Sequence, residues 1–178
     1  MVEEEPKQEH SVLCPTNPYA ATKAGAELIA QSYYHSFEFP LIITRGNNVY
    51  GKNQYPEKVI PRFLQLRKNN KKLTIQGDGS NLRSFLHIDD VISAFELILF
   101  QGKIGEIYNI GSDEEISIKE VAEMILTFEN QLEPFKKEIE YIEDRPFNDK
   151  RYYISNQKLK DLGWNIKVKF IDGLKSLA

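Results

Sequence analysis

The stretch LIITRGNNVYG, Leu41–Gly51, sets a continuous apolar run against a tail rich in glycine and asparagine. A run that is apolar at every position, rather than at every second one, reads as a strand covered on both faces, as in parallel sheets. The stretch EIYNIG, Glu106–Gly111, has the same character and ends in a turn. Two buried strands are therefore expected at 41–45 and 106–110, with GNNVYGKNQYPEK, Gly46–Lys58, as a loop.

Helical patterns surround these strands. Asn17-Pro18 is a helix start, because Asn can cap and Pro fits the first turn. Leu28, Ile29 and Tyr33 then recur at helical spacing to about Phe37. A second helix is expected over 59–68, with Ile60, Phe63, Leu64 and Leu66 inward and its basic tail outside. LTIQ (73–76) reads as a strand, GDGSN (77–81) as a turn, and 83–86 as a further strand. A third helix runs from Asp89, read as its cap, to about Phe100, stopped by Gly102 and Gly105. Ser117 caps a fourth, from Ile118 to about Glu129, with Glu120 completing a capping box. Residues 130–137 read as a polar linker, 137–144 as a half-exposed strand, and 151–155 as a short strand. Two weak helices follow around Gln157 and Asp172.

Strands alternating with helices define an α/β fold. A doubly wound sheet of about five or more strands is incomplete here. Neither a GxGxxG turn nor a phosphate-binding P-loop occurs.

Composition sets the outer limits. The 178 residues are 41% hydrophobic and 28% charged, ordinary values for a soluble domain. A net charge of −3 recommends neither nucleic acid nor an anionic membrane. No apolar run approaches the roughly 20 residues of a membrane span. The acidic start, MVEEEPKQEH, argues against a signal or transit peptide, and a single cysteine, Cys14, fits a reducing compartment. A cytoplasmic protein is expected. His10, His35 and His87 share no metal-ligand spacing, so no metal is expected.

The chemistry begins at NPYAATKAGAE, Asn17–Glu27. Tyr19 and Lys23, four residues apart, share one helix face. A lysine ammonium beside a phenol favours the phenolate, which can then exchange a proton with a substrate hydroxyl during hydride transfer. About one such spacing arises by chance in a chain with nine tyrosines. The small residues Ala20, Ala21 and Thr22 between them allow a close approach by a cofactor or substrate. Arg83, leading a strand after a glycine-rich turn, and Arg45, ending one, suit a diphosphate clamp; for either alone a surface ion pair is the commoner use. Asn47, Asn48 and Asn109 stand at strand ends, where ligands of α/β sheets sit, although turn chemistry would also explain them. RPFNDKRYY, Arg145–Tyr153, could hold an anion or be a charged loop over an apolar patch.

The order of these motifs is more telling than any one of them. NPYAATKAGAE, TRGNNVYGKNQYPEKVIP, IQGDGSNLRSFLHIDD, GEIYNIGS, DRPFNDKRYYIS and LGW together resemble the nucleotide-sugar 4,6-dehydratases across about residues 15–175. These belong to the extended short-chain dehydrogenase/reductase superfamily. RGNNVYG and RPFNDKRYY are most similar to the UDP-glucose 4,6-dehydratases of rhamnose synthesis, with dTDP-glucose 4,6-dehydratases next.

The resemblance implies a C-terminal portion of an NAD(P)-binding Rossmann-like fold. Residues 1–16 would form a polar arm, and 17–178 partial Rossmann elements interleaved with a small substrate-binding α/β subdomain. Tyr19 would take the proton from the sugar 4-hydroxyl; Lys23 would tune that phenol and hold the nicotinamide ribose. Asn48 and Arg83 would bind the phosphates, Lys58 would flank the nucleotide, and Asn109, Arg145 and Asn148 would line its pocket. Gln76, where thymidine-type enzymes often carry an aromatic, favours UDP. NAD would oxidise carbon 4, water would leave across carbons 5 and 6, and hydride would return to carbon 6. The whole enzyme would be a homodimer acting on UDP-glucose or dTDP-glucose.

The chain also departs from the family pattern. Relatives begin with a glycine-rich NAD-binding turn, and carry a Thr-Asp-Glu motif just upstream of the position where this chain starts. The isolated chain is therefore expected to be inactive. The alternatives are a complementing module for a separate NAD half, or a related epimerase or decarboxylase.

Overall fold

The computed structural model describes residues 5–128, 138–145 and 150–178. Helix α1 (Pro18–Phe37) starts as its sequence signals: Asn17 is extended, and its Oδ1 accepts from the backbone N–H of Ala20 at 2.9 Å. Strand β1 (Ile43–Gly46) follows. It pairs in parallel with β6 (Ile107–Ile110), placing Arg45 opposite Asn109. Of the two strands expected to be buried, β6 meets the expectation at Tyr108, Asn109 and Ile110. β1 does not. Its residues are half-buried or exposed, because among the described residues β6 is its one partner and α1, with no buried residue, lies open.

Residues 46–58, expected as a loop, are not loop throughout. Asn48–Tyr50 form a strand, β2, parallel to β5 (Phe85–His87). The three residues are too short to show a period, and asparagine disfavours strands; the pairing comes from the tertiary fold. The single strand expected at 83–86 is likewise two. β4 (Leu82–Arg83) pairs antiparallel with β7 (Ile116–Ser117), and β5 changes partner beyond Ser84. β3 (Leu73–Gln76) runs parallel to β8 (Ile139–Ile142). The strand expected at 151–155 is not formed; isolated bridges join Arg151 to Leu82 and Ile154 to Lys7.

Helices α2 (Val59–Lys68) and α4 (Ile118–Thr127) cover one core. It contains Phe63, Leu73, Ile75, Phe85, Val121 and Leu174. The predicted capping box on α4 is present: Ser117 Oγ accepts from Glu120 N–H at 3.1 Å, and the Glu120 carboxylate accepts from Ser117 N–H at 2.7 Å. A second core joins α3 (Ile88–Gln101), β6 and α5 (Gln157–Asp161) through Val91, Ala94, Ile98, Tyr108, Leu159 and Trp164. Helix α6 (Phe170–Lys175) closes the first core with Phe170 and Leu174.

The capping role read for Asp89 falls to His87, whose Nδ1 accepts from Asp89 N–H at 3.3 Å. β5 runs straight into α3, so the helix begins one residue earlier, at Ile88. The buried Asp90 accepts instead from the backbone N–H groups of Lys167 and Val168, each at 3.0 Å. The turn at 77–81 keeps its predicted form, with φ of +64° at Gly77 and +76° at Gly79, a region that favours glycine.

Candidate active site

Two groups of the predicted site residues appear in different settings. The first stands on α1. Tyr19 is 71% exposed, and Lys23 Nζ lies 5.8 Å from its ring centroid, so the helical spacing does bring phenol and ammonium together. Thr22 between them donates its hydroxyl back to the Tyr19 carbonyl at 2.7 Å, and Ala21, Thr22 and Lys23 are exposed.

The second group lines a cleft of about 200 Å³ between α2 and the ends of β2, β3, β4 and β8. Asn48, Gln76, Arg83 and Arg145 all reach it. Their positions follow from the strands: β2 ends the LIITRGNN run, and β4 carries Arg83 out of the 77–81 turn. Arg83 Nη1 donates to the Leu82 carbonyl at 2.7 Å, and the guanidinium lies over the Tyr152 ring at 4.6 Å. Arg145 Nε donates to Gln76 Oε1 at 2.7 Å. Since arginine can only donate, the Gln76 amide must turn its oxygen to Arg145 and its NH2 away. Cationic and amide donors thus converge on one small volume, a combination suited to a phosphorylated or carbonyl-bearing ligand.

Other predicted residues lie elsewhere. Lys58 is the exposed residue preceding α2, flanked by Glu57 and Val59, which do line the cleft. Asn109 is buried in β6, its Nδ2 donating to the Lys7 carbonyl at 3.2 Å, and is not among the cleft-lining residues. Arg45 is engaged structurally: Nε donates to Glu27 Oε2 at 2.9 Å and Nη1 to the Glu9 carbonyl at 3.0 Å. Asn148 and the linker 130–137 fall outside the described residues.

Sequence reasoning missed Arg62, which lines the cleft and donates through Nη2 to Thr74 Oγ1 at 3.0 Å. Its spacing of one helical turn from Lys58 was the available signal. A wider hollow of about 580 Å³ lies by Glu9, Gly105, Glu106 and Lys158. Lys158 is spent there on Glu106 and the Ile107 carbonyl, both at 2.6 Å, and none of the predicted site residues lines it, so the smaller cleft is the better candidate. Among the described residues no three His, Cys, Asp or Glu side chains gather to hold a metal ion.

The same arrangement of elements recurs in solved enzymes. A dTDP-glucose 4,6-dehydratase from Bacillus anthracis, solved with NAD, matches at a TM-score of 0.92 and 40% identity, covering 99% of this chain and 55% of that one. A Thermus thermophilus UDP-glucose 4-epimerase, also solved with NAD, matches at 0.87 and 28% identity, over 98% and 57%. The fold is therefore that of the extended short-chain dehydrogenases/reductases. A family model described as GDP-mannose 4,6 dehydratase matches residues 1–177, and the chain belongs to that family.

Its relatives include the Dictyostelium discoideum dTDP-D-glucose 4,6-dehydratase, 46% identical over 94% of this chain and 46% of that protein. An Arabidopsis thaliana trifunctional enzyme, UDP-glucose 4,6-dehydratase/UDP-4-keto-6-deoxy-D-glucose 3,5-epimerase/UDP-4-keto-L-rhamnose-reductase, is 50% identical over 94% of this chain and 25% of that protein. The chain spans about half or less of the length of these relatives.

Proposed function

We propose that this chain is the substrate-binding portion of a cytoplasmic, homodimeric nucleotide-sugar 4,6-dehydratase that converts UDP-glucose or dTDP-glucose to the 4-keto-6-deoxy sugar nucleotide in rhamnose-type deoxysugar synthesis. The observation that carries the reading is the cleft in which Arg83, Arg145 and Asn48 converge. Fixed guanidinium donors in a small cleft suit a diphosphate better than scattered surface charge does, because planar N–H forks bind phosphate oxygens in pairs. Gln76, with its NH2 directed away from Arg145, offers a donor to a pyrimidine carbonyl.

Tyr19 and Lys23 fit one end of an NAD site, since both are exposed and adjacent on one helix face. They would hold the nicotinamide ribose, and Tyr19 would take the 4-hydroxyl proton through its phenolic oxygen. NAD, when bound, supplies the acceptor and later donor of hydride. The glycine-rich turn that would hold its diphosphate is not in this sequence.

The reading therefore includes that the chain alone does not turn over. With UDP-glucose or dTDP-glucose and NAD, no 4-keto product should form, followed as the alkaline absorbance of keto-sugars. Product from the chain alone contradicts this. A second reading, a module complementing a separate NAD-binding polypeptide, is favoured by the open α1, which exposes Leu28, Ile29, Tyr33 and Phe37. Turnover restored by such a polypeptide would establish it.

A further inference from the structure

Behind Arg83 and Asn48 runs the segment Lys150–Ser155, whose residues do not line the cleft. It is fastened from several sides. Leu82 N–H donates to the Lys150 carbonyl at 2.9 Å, and Arg151 Nε donates to Glu115 Oε1 at 2.7 Å. The Arg151 guanidinium also covers the Tyr153 ring at 4.1 Å. Tyr152, between these anchors, sends its ring under Arg83, 4.6 Å from Cζ. Its carbonyl accepts from Asn47 Nδ2 at 3.1 Å. Asn47 Oδ1 in turn accepts from the backbone N–H of Asn48 at 2.9 Å and from Asn48 Nδ2 at 3.3 Å.

We propose that Tyr152 and Asn47 are positioning residues for the diphosphate of the ligand, Tyr152 aiming Arg83 and Asn47 aiming Asn48; this rests on the reading of the cleft as a nucleotide-sugar site. The chemistry follows from the two side chains. An aromatic face attracts a guanidinium to its plane and covers one side of it. The five N–H bonds lie in that plane, so a stacked guanidinium keeps its donors directed edgewise. Asn47 uses both ends of its amide: the NH2 can only donate and is held by Tyr152, so the oxygen is turned to Asn48. One anchored segment thus sets two of the groups that converge in the cleft. The Tyr152 ring face, not its hydroxyl, does the stacking.

The test is calorimetric binding of UDP and of uridine to the full 178-residue chain, carrying Tyr152→Leu, Tyr152→Phe, Asn47→Ala or Arg83→Ala. Loss of a cation–π contact should weaken UDP roughly three- to thirtyfold in Tyr152→Leu, leave uridine unchanged, and spare Tyr152→Phe. Asn47→Ala should also weaken UDP and not uridine, an independent readout should Tyr152→Leu fail to fold. The inference is overturned if Arg83→Ala weakens UDP while Tyr152→Leu and Asn47→Ala bind it like the wild type. It is equally overturned if those two variants weaken UDP and uridine alike, or if Tyr152→Phe falls with Tyr152→Leu. Wild-type and Arg83→Ala chains that bind UDP equally would instead reject the nucleotide reading itself, and the inference with it.

Discussion

Arginines with similar positions in the sequence have different uses in the fold. Arg45 and Arg83 both stand at strand ends, yet Arg45 is fixed to Glu27 and to the Glu9 carbonyl, while Arg83 lines a cleft. Position along the chain cannot separate them, because the partner of Arg45 lies 18 residues away on another element. Asp90 makes the same point. Beside Asp89 it reads as one of two acids opening a helix, but in the fold it is buried and holds the chain at Lys167 and Val168. Asp90→Ala takes the carboxylate acceptor from two part-buried backbone N–H groups and should cost about 3 kcal/mol, read as a lowered urea midpoint. An unchanged midpoint would mean that water replaces the carboxylate at no cost. At Tyr50 the effect is electrostatic: burial, with Asp90 adding its charge, pushes the phenol well above its ordinary range, so this tyrosine stays neutral and structural.

Elements defined by local chemistry were legible. Asn17, Ser117 and the glycines at 77 and 79 do in the fold what their residue types dictate, because caps and turns depend on neighbours within a few residues. Elements defined by distant pairing were not. β2 forms because β5 lies beside it, and 151–155 forms only bridges because its partners are single residues at 82 and 7. The capping box yields a pH prediction. Hydrogen bonds from the Ser117 hydroxyl and backbone N–H hold the Glu120 carboxyl below its usual range. A carboxyl lowered by folding stabilises above its unfolded value and loses that contribution as pH falls through the acid range. Ser117→Ala should therefore cost about 1 kcal/mol near neutrality and less at pH about 3, measured by denaturant unfolding. A cost that stays constant with pH would contradict this role for Glu120.

At the scale of the molecule, two well-packed cores coexist with a surface that is not covered. Every residue of α1 is at least partly exposed, and α3 leaves Ile92, Phe95, Leu99 and Phe100 outside while burying its other face. Among the described residues β1 has a single strand partner. Apolar helix faces beside a sheet edge open among the described residues favour association. Light scattering of the purified chain should show self-association that diminishes in a Leu28→Glu, Tyr33→Glu variant. A clean monomer across concentrations would contradict it. The Tyr19–Lys23 pair on α1 and the arginines of the cleft lead to one claim: the chain carries a nucleotide-sugar site. Isothermal titration of UDP against the wild-type and Arg83→Ala chains tests that claim most directly. Binding by the wild type, weakened roughly tenfold or more in the variant, is the predicted result; equal affinity, or no binding by the wild type, would contradict it.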